Sequence, residues 1–145
     1  MNLEALSESQ RRRIEAAIQN VPFATLVGIE VASVGQGFAS MTLEVRDELR
    51  QNNRVVHGGA IATLIDSVAA FAVIPILADD ETATTVDLTI TYLRPLLSGK
   101  ATASARVLRE GSRIIALSAE VLDDSGKVAA TGLTTYLRIA KRNRT

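Results

Sequence analysis

The stretch Gln51–Ile76, QNNRVVHGGAIATLIDSVAAFAVIPI, decides the fold. From Ala60 to Ile76 its apolar residues fall on every side of a helix rather than on one stripe, which predicts a helix buried all round. Asp66 stands in the middle of that helix, too far from either end to act as a cap. Burying an unpaired carboxylate costs several kcal/mol or forces it to take up a proton. An acid inside a helix built for the interior makes Asp66 the first functional candidate.

Residues three and four apart share a helix face, so Gly59, Thr63, Asp66, Ser67 and Ala70 form one narrow line of small or polar side chains. Gly58 and Gly59 open the helix, where the first amide N–H groups lack partners and glycine lets another group come close. The aligned peptide dipoles favour negative charge there, so an oxygen that becomes anionic during a reaction would be stabilised. A plain tight turn into the helix would use the same glycines. Asp66 lies about 10 Å further along the same side, so a substrate could bridge the two. The alternative is that Asp66 and Ser67 face solvent or bond a neighbouring loop.

His57, the only histidine, is a base, an orienter of the loop or a packed side chain, and the orienter reading is favoured because Asp66 is the better placed titratable group. Gln51, Asn52 and Asn53 add neutral amides able to hold a carbonyl or a water. A serine hydrolase triad is not supported, since no Ser stands in a nucleophile-elbow setting and no second His is present.

Outward from this stretch, Ser7 and Gln10 have capping-box spacing, and Ile14, Ala17, Ile18 and Val21 recur on one face of a short helix that Pro22 stops. Residues 1–22 are thus expected to hold a surface helix with Arg11, Arg12 and Arg13 outward. Ile29 to Val34 and Phe38 to Val45 read as a hairpin across Gly35-Gln36-Gly37, and Arg46 to Arg54 as a loop feeding the helix. Asp79-Asp80-Glu81 marks an exposed break.

Four strand-like segments follow, roughly Thr84 to Leu93, Ala101 to Leu108, Arg113 to Leu122 and Lys127 to Ile139. In the first of them Val86, Leu88, Ile90 and Tyr92 alternate with Asp87, Thr89 and Thr91. Turn residues at Pro95 and Ser98-Gly99, Gly111-Ser112 and Asp124-Ser125-Gly126 favour antiparallel neighbours, hence a meander of four strands. Residues 140–145 read as a frayed basic tail. The expected class is α+β, an antiparallel sheet curled around one long helix in a single domain over 1–145. One sheet covers only one side of such a helix, so a second copy is expected to cover the other, making at least a homodimer.

The chain has 145 residues, 47% of them hydrophobic, with 16 basic and 16 acidic residues in balance. That balance favours neither nucleic acid nor an anionic membrane as partner. Cysteine is absent, which excludes disulfides, thiolate nucleophiles and cysteine metal sites, and one histidine excludes a multi-histidine metal centre. The start MNLEALSESQRRRIEA has no apolar core, so no signal peptide is expected and a cytoplasmic location is the default. A membrane span over Ala60 to Ala78 fits poorly with Thr63, Asp66, Ser67 and Pro75 inside it.

The string VHGGAIATLIDS, with His57-Gly58-Gly59 opening a long helix and an acid nine residues after the His, resembles the hot-dog-fold acyl-CoA thioesterases of the phenylacetate-pathway (PaaI-like) group. The resemblance extends to PFATLVGIEV before the hairpin and VDLTITYLRP after the helix. It implies that the Gly58 N–H polarises the thioester carbonyl and that Asp66 attacks the carbonyl carbon or activates water. It also implies that Gln51 holds the carbonyl or the water, and that Thr85, supplied by the facing subunit, orients water near the acid. The resemblance implies an acyl-CoA substrate, no metal or prosthetic group, and sites between subunits of a dimer or tetramer. Gly59, Ser67, Ala70 and Asn53 are the expected substrate contacts. Arg94, Arg109 and Arg113 are candidates for a basic rim that meets the phosphates of coenzyme A. A non-catalytic acyl-CoA binding or sensing module is the alternative, and a hot-dog dehydratase or hydratase is disfavoured because it needs a different arrangement of His and acid.

Overall fold

The computed structural model describes residues 5–141. Its centre is α3, Gly58–Val73, extended through Ile76 by one 3₁₀ turn that contains Pro75. A six-stranded antiparallel sheet curls around this helix in the order β1-β2-β4-β5-β6-β3. The strands are β1 (Ile29–Gly35), β2 (Phe38–Glu44), β3 (Glu81–Tyr92), β4 (Lys100–Glu110), β5 (Ile114–Leu122) and β6 (Val128–Ala140). This is the hot-dog arrangement.

The sheet approaches closely because its middle strands present small residues inward. Ala101, Ala103 and Ala105 alternate along β4, all buried, opposite the buried Leu64, Ile65 and Val68 of α3. On β6 the approach is closer still, since a side chain at Gly132 would come within 3.0 Å of Ile65 Cγ2. Larger residues at the flanks, Met41 and Leu43 on β2 and Ile115 and Leu117 on β5, close the core around the helix.

The structure alters several expectations. The strands are not a meander of four: β4, β5 and β6 follow one another, but β3 pairs with β6. Both edges of β4 are already taken, by β2 and β5, so β3 takes the free edge of β6. The segment from Leu93 to Gly99 then passes the end of the helix, with Leu96 buried and its carbonyl accepting from the Val56 N–H. The alternation in β3 is broken by an irregularity between Thr85 and Asp87, which leaves Val86 exposed.

Pro22 does not merely end the first helix. α1 (Glu8–Gln19) closes at Asn20, and Pro22 opens a second helix, α2 (Pro22–Val27), at the position where a missing N–H does no harm. Gly28 ends α2 at φ +84°, and the Arg46 guanidinium donates to the Leu26 and Val27 carbonyls beside it. The Ser7–Gln10 capping box is present. Arg13, however, turns inward and donates to the Leu77 carbonyl at 2.7 Å, and Gln10 donates to the Pro75 carbonyl at 2.6 Å. Both bonds tie α1 to the far end of the central helix.

Glu81 is not part of an exposed break but the first residue of β3, ion-paired with Arg138 at 2.7 Å. The expected basic tail begins inside the fold. Ala140 ends β6 and Lys141 bonds the carbonyls of Asp79 and Asp80, while residues 142–145 lie outside the described residues.

The helix is not buried all round. Ile61, Leu64, Ile65, Val68 and Ala72 are buried, whereas Gly59 is exposed and Thr63, Asp66, Ser67 and Ala70 are half-buried. Gly58–Ile76 is long and apolar enough to cross a membrane by length and composition alone, but half of that stretch is packed inside this fold. Leu64, with no exposure, sits where helix and sheet meet. Leu64→Ala is therefore expected to destabilise the fold by about 2–5 kcal/mol, read as a lower urea midpoint at unchanged slope.

Candidate active site

His57 is the N-cap of α3, and its Nδ1 accepts the Gly59 N–H at 2.8 Å. Nδ1 therefore carries no proton in this arrangement. A side chain at Gly59 would stand 2.9 Å from that same Nδ1, so glycine is required for the cap to form. Gly58 has its own neighbour. The Tyr92 ring lies against it, 3.3 Å from where a Cβ would be, and the Tyr92 hydroxyl donates to the Gly58 carbonyl at 3.0 Å. The glycine pair thus makes a tight turn. It also leaves one donor free, because no acceptor for the Gly58 N–H is found among the described residues.

Asp66 is held from the sheet side. Thr85 Oγ1 donates to its Oδ1 at 3.0 Å, and the buried Tyr136 hydroxyl lies 3.2 Å from its main-chain carbonyl and 3.4 Å from Oδ1. Burial, reinforced by the neighbouring Asp66 charge, pushes the Tyr136 phenol well above its ordinary pKa. Thr85 was expected from a facing subunit. In this structure it reaches the Asp66 of its own chain, because β3, paired with β6 along its length, runs beside the helix.

A cavity of about 570 Å³ opens along the polar line of the helix. Thr63, Asp66, Ser67, Ala70 and Phe71 form its floor, with Phe23 of α2, Ile18 of α1 and Met41 of β2 among its apolar walls. Ser67 and Ala70 thus both border this cavity, and Thr63 turns its hydroxyl back to the Gly59 carbonyl at 2.9 Å. A second hollow of about 580 Å³, on the outer face of the sheet around Ser104, Arg106 and Glu120, touches none of the candidate residues.

Other candidates are not brought to Asp66. Gln51, Asn52 and Asn53 are exposed on a turn closed by the Arg50–Val56 bridge, and no side-chain hydrogen bond from them is found among the described residues. Gln51 therefore belongs with the Gly58 end of the helix. Arg94 follows β3 at that same end and donates to the Val128 carbonyl at 2.8 Å. Arg109 and Arg113 lie at the other end, where the Arg113 carbonyl accepts from the Arg138 N–H. Eight residue steps along β6, from Ala130 opposite Tyr92 to Arg138, put the two ends about 27 Å apart. One chain cannot use Arg94 and Arg113 on a single phosphate group. Among the described residues no cluster of His, Asp and Glu is suited to hold a metal ion.

Tyr136 and Tyr92 escaped the sequence reading. The signal for Tyr136 was its place in the inward phase of β6, where Thr134 is also buried and bonds the Asp87 carbonyl. A hydroxyl on an inward-facing position must find a partner.

Residues 53–130, more than half of the chain, match the model of the thioesterase superfamily. The chain belongs to the hot-dog thioesterase superfamily. It is similar to the acyl-coenzyme A thioesterase PaaI of Escherichia coli, 27% identical over 126 residues that cover 86% of this chain and 88% of that one. The solved structure of E. coli PaaI, from the phenylacetic acid degradation operon, superposes with a TM-score of 0.86 over 94% of this chain and 98% of its own. A conserved Pseudomonas aeruginosa protein, PA5202, is 31% identical with a TM-score of 0.78 over 82% and 94% of the two chains. The medium/long-chain acyl-CoA thioesterase YigI of Salmonella typhimurium is 24% identical over 85% of this chain and 89% of its own. Membership sets this chain among thioester hydrolases at the level of the family.

His57→Ala removes the cap and leaves the Gly59 N–H without its acceptor. It is expected to lower stability by about 1 kcal/mol, measured by urea unfolding, and to leave the sheet intact by circular dichroism.

Proposed function

We propose that this protein hydrolyses the thioester of a small or medium acyl-CoA or an aryl-CoA, with the Gly58 N–H as oxyanion donor and Asp66 as the reacting acid. The observation that carries the reading is Asp66 itself, tethered through Oδ1 at the edge of an apolar cavity on a helix whose first N–H is free. The mechanism needs no metal. Either Oδ2 of Asp66 takes a proton from a water that attacks the carbonyl carbon, or Oδ2 attacks directly and forms a mixed anhydride that water then opens. In both routes the electron pair moves to the carbonyl oxygen at the Gly58 N–H and returns as the coenzyme A thiolate leaves and is protonated.

The helix rise puts residues 58 and 66 about 12 Å apart, whereas the carbon and oxygen of one carbonyl are about 1.2 Å apart. A single chain therefore cannot present both groups to one thioester. Two α3 helices running antiparallel, with a two-fold axis near Ala62, would bring Gly58 of one copy to Asp66 of the other and create two equal sites. The line of small residues on α3, only half-buried by its own sheet, suits such an approach, and β3 offers a sheet edge unpaired among the described residues, bordered by the exposed Val86, Tyr92 and Leu93. In this arrangement Gln51, His57 and Arg94 serve the Gly58 half, Arg94 being the rim residue nearest the oxyanion donor. Asp66, Thr85, Ser67 and Ala70 form the acyl half.

A thiol-release assay against aliphatic and aromatic acyl-CoAs tests the reading. Turnover by the wild type should fall at least ~10²-fold in Asp66→Asn. An unchanged rate in that variant would sink the assignment, and acyl-CoA binding without any turnover would favour the binding-module alternative. Ala70→Phe should fill the cavity floor, lowering kcat/KM for medium-chain and aryl substrates about tenfold or more while acetyl-CoA changes little. Equal losses on all substrates would place the acyl group elsewhere.

A further inference from the structure

We propose that Tyr136 is a positioning residue for this site, its hydroxyl and that of Thr85 together fixing Oδ1 of Asp66 so that Oδ2 is the oxygen offered to the substrate. The inference rests on the thioesterase reading and assigns a part of it to a residue outside the resemblance.

Thr85 of β3 and Tyr136 of β6 are direct cross-strand partners, so the register of this one strand pair sets their two hydroxyls side by side beneath Asp66. Thr85 Oγ1 bonds Oδ1 at 3.0 Å, and the Tyr136 hydroxyl reaches the same Oδ1 at 3.4 Å and the Asp66 carbonyl at 3.2 Å. Both tyrosine distances are long for an O–H···O bond, as expected when one hydrogen is shared by two acceptors. No donor to Oδ2 is found among the described residues, and Asp66 borders the cavity. The register of β3 against β6 shifts directly after Thr85, the next pair being Asp87 and Thr135.

Packing alone does not explain the hydroxyl. Tyr136 is 4% exposed, and a phenylalanine would fill the same space without burying an oxygen. The acceptors found for the tyrosine hydroxyl both belong to Asp66, one on its backbone and one on its carboxylate. Contact with both restricts rotation of the Asp66 side chain about its own helix. Burial and the adjacent acid keep the phenol protonated, so it serves as a donor and does not exchange protons with the substrate.

Tyr136→Phe keeps the ring and removes the oxygen. Against the acyl-CoA that the wild type turns over best, kcat should fall about tenfold with KM within about twofold, the loss expected for one hydrogen bond to a charged group. An unchanged kcat, or a loss carried wholly by KM, would overturn the proposal. A second series needs no activity. Tyr136→Phe should lower the urea midpoint in the wild-type background and by a smaller amount in the Asp66→Ala background, which keeps the main-chain acceptor but lacks the carboxylate. Equal decreases in both would show that the hydroxyl does not act through the Asp66 carboxylate and would also overturn it. A wild type with no turnover of any acyl-CoA would instead refute the thioesterase reading, leaving the unfolding series to decide whether Tyr136 holds Asp66.

Discussion

The structure depends on one constraint: a long apolar helix must be covered by a sheet while one polar line on it stays accessible. Leu64, Ile65 and Val68 can be covered only if the sheet comes close, and the alanines of β4 and Gly132 of β6 permit that. Close packing on those sides pins the helix in rotation. Its remaining side, with Gly59, Thr63, Asp66, Ser67 and Ala70, is then turned away from the sheet centre without any residue being dedicated to that task. The site's position is thus a by-product of core packing.

The same constraint explains why Asp66 is tolerated. A carboxylate in the fully apolar part of the helix would have to be neutral or paired. At the border of core and cavity it meets two hydroxyls from adjacent strands on one side and open space on the other. Hydroxyl donors hold it in place while leaving its charge uncompensated, which an ion pair with arginine would not do. Arg138, paired with Glu81 and Glu110, is kept at the opposite end of the sheet.

Much of this was legible in the residues. The lone acid in an apolar helix, the glycines at its start and the small-residue line were readable because each depends on helix periodicity alone. The strands were placed to within a few residues because two-residue alternation and turn residues are likewise local signals. Pairing was not readable: β3 was expected beside β4 because turn chemistry is local, whereas the competition for the edges of β4 is a property of the whole sheet. All-round burial was overestimated because Ala and Thr count as compatible with a core wherever they fall. Thr85 was identified through resemblance but assigned to the wrong copy relative to Asp66, and Tyr136 was missed since its partner is seventy residues away in the chain. Arg94 and Arg113 looked equivalent until the length of β6 separated them.

The placement of the two tyrosines has an optical consequence. The chain contains no tryptophan, so its near-ultraviolet absorption and its emission are dominated by Tyr92 and Tyr136. One leans on Gly58 and the other touches Asp66, at the two poles of the proposed machinery. Every intrinsic chromophore of consequence therefore reports on the central helix. The half-exposed Tyr92 and the buried Tyr136 differ enough in surroundings to be told apart by a quencher in solution. The protein carries its own pair of site-directed probes, and occupancy at either pole can be followed without attaching a dye.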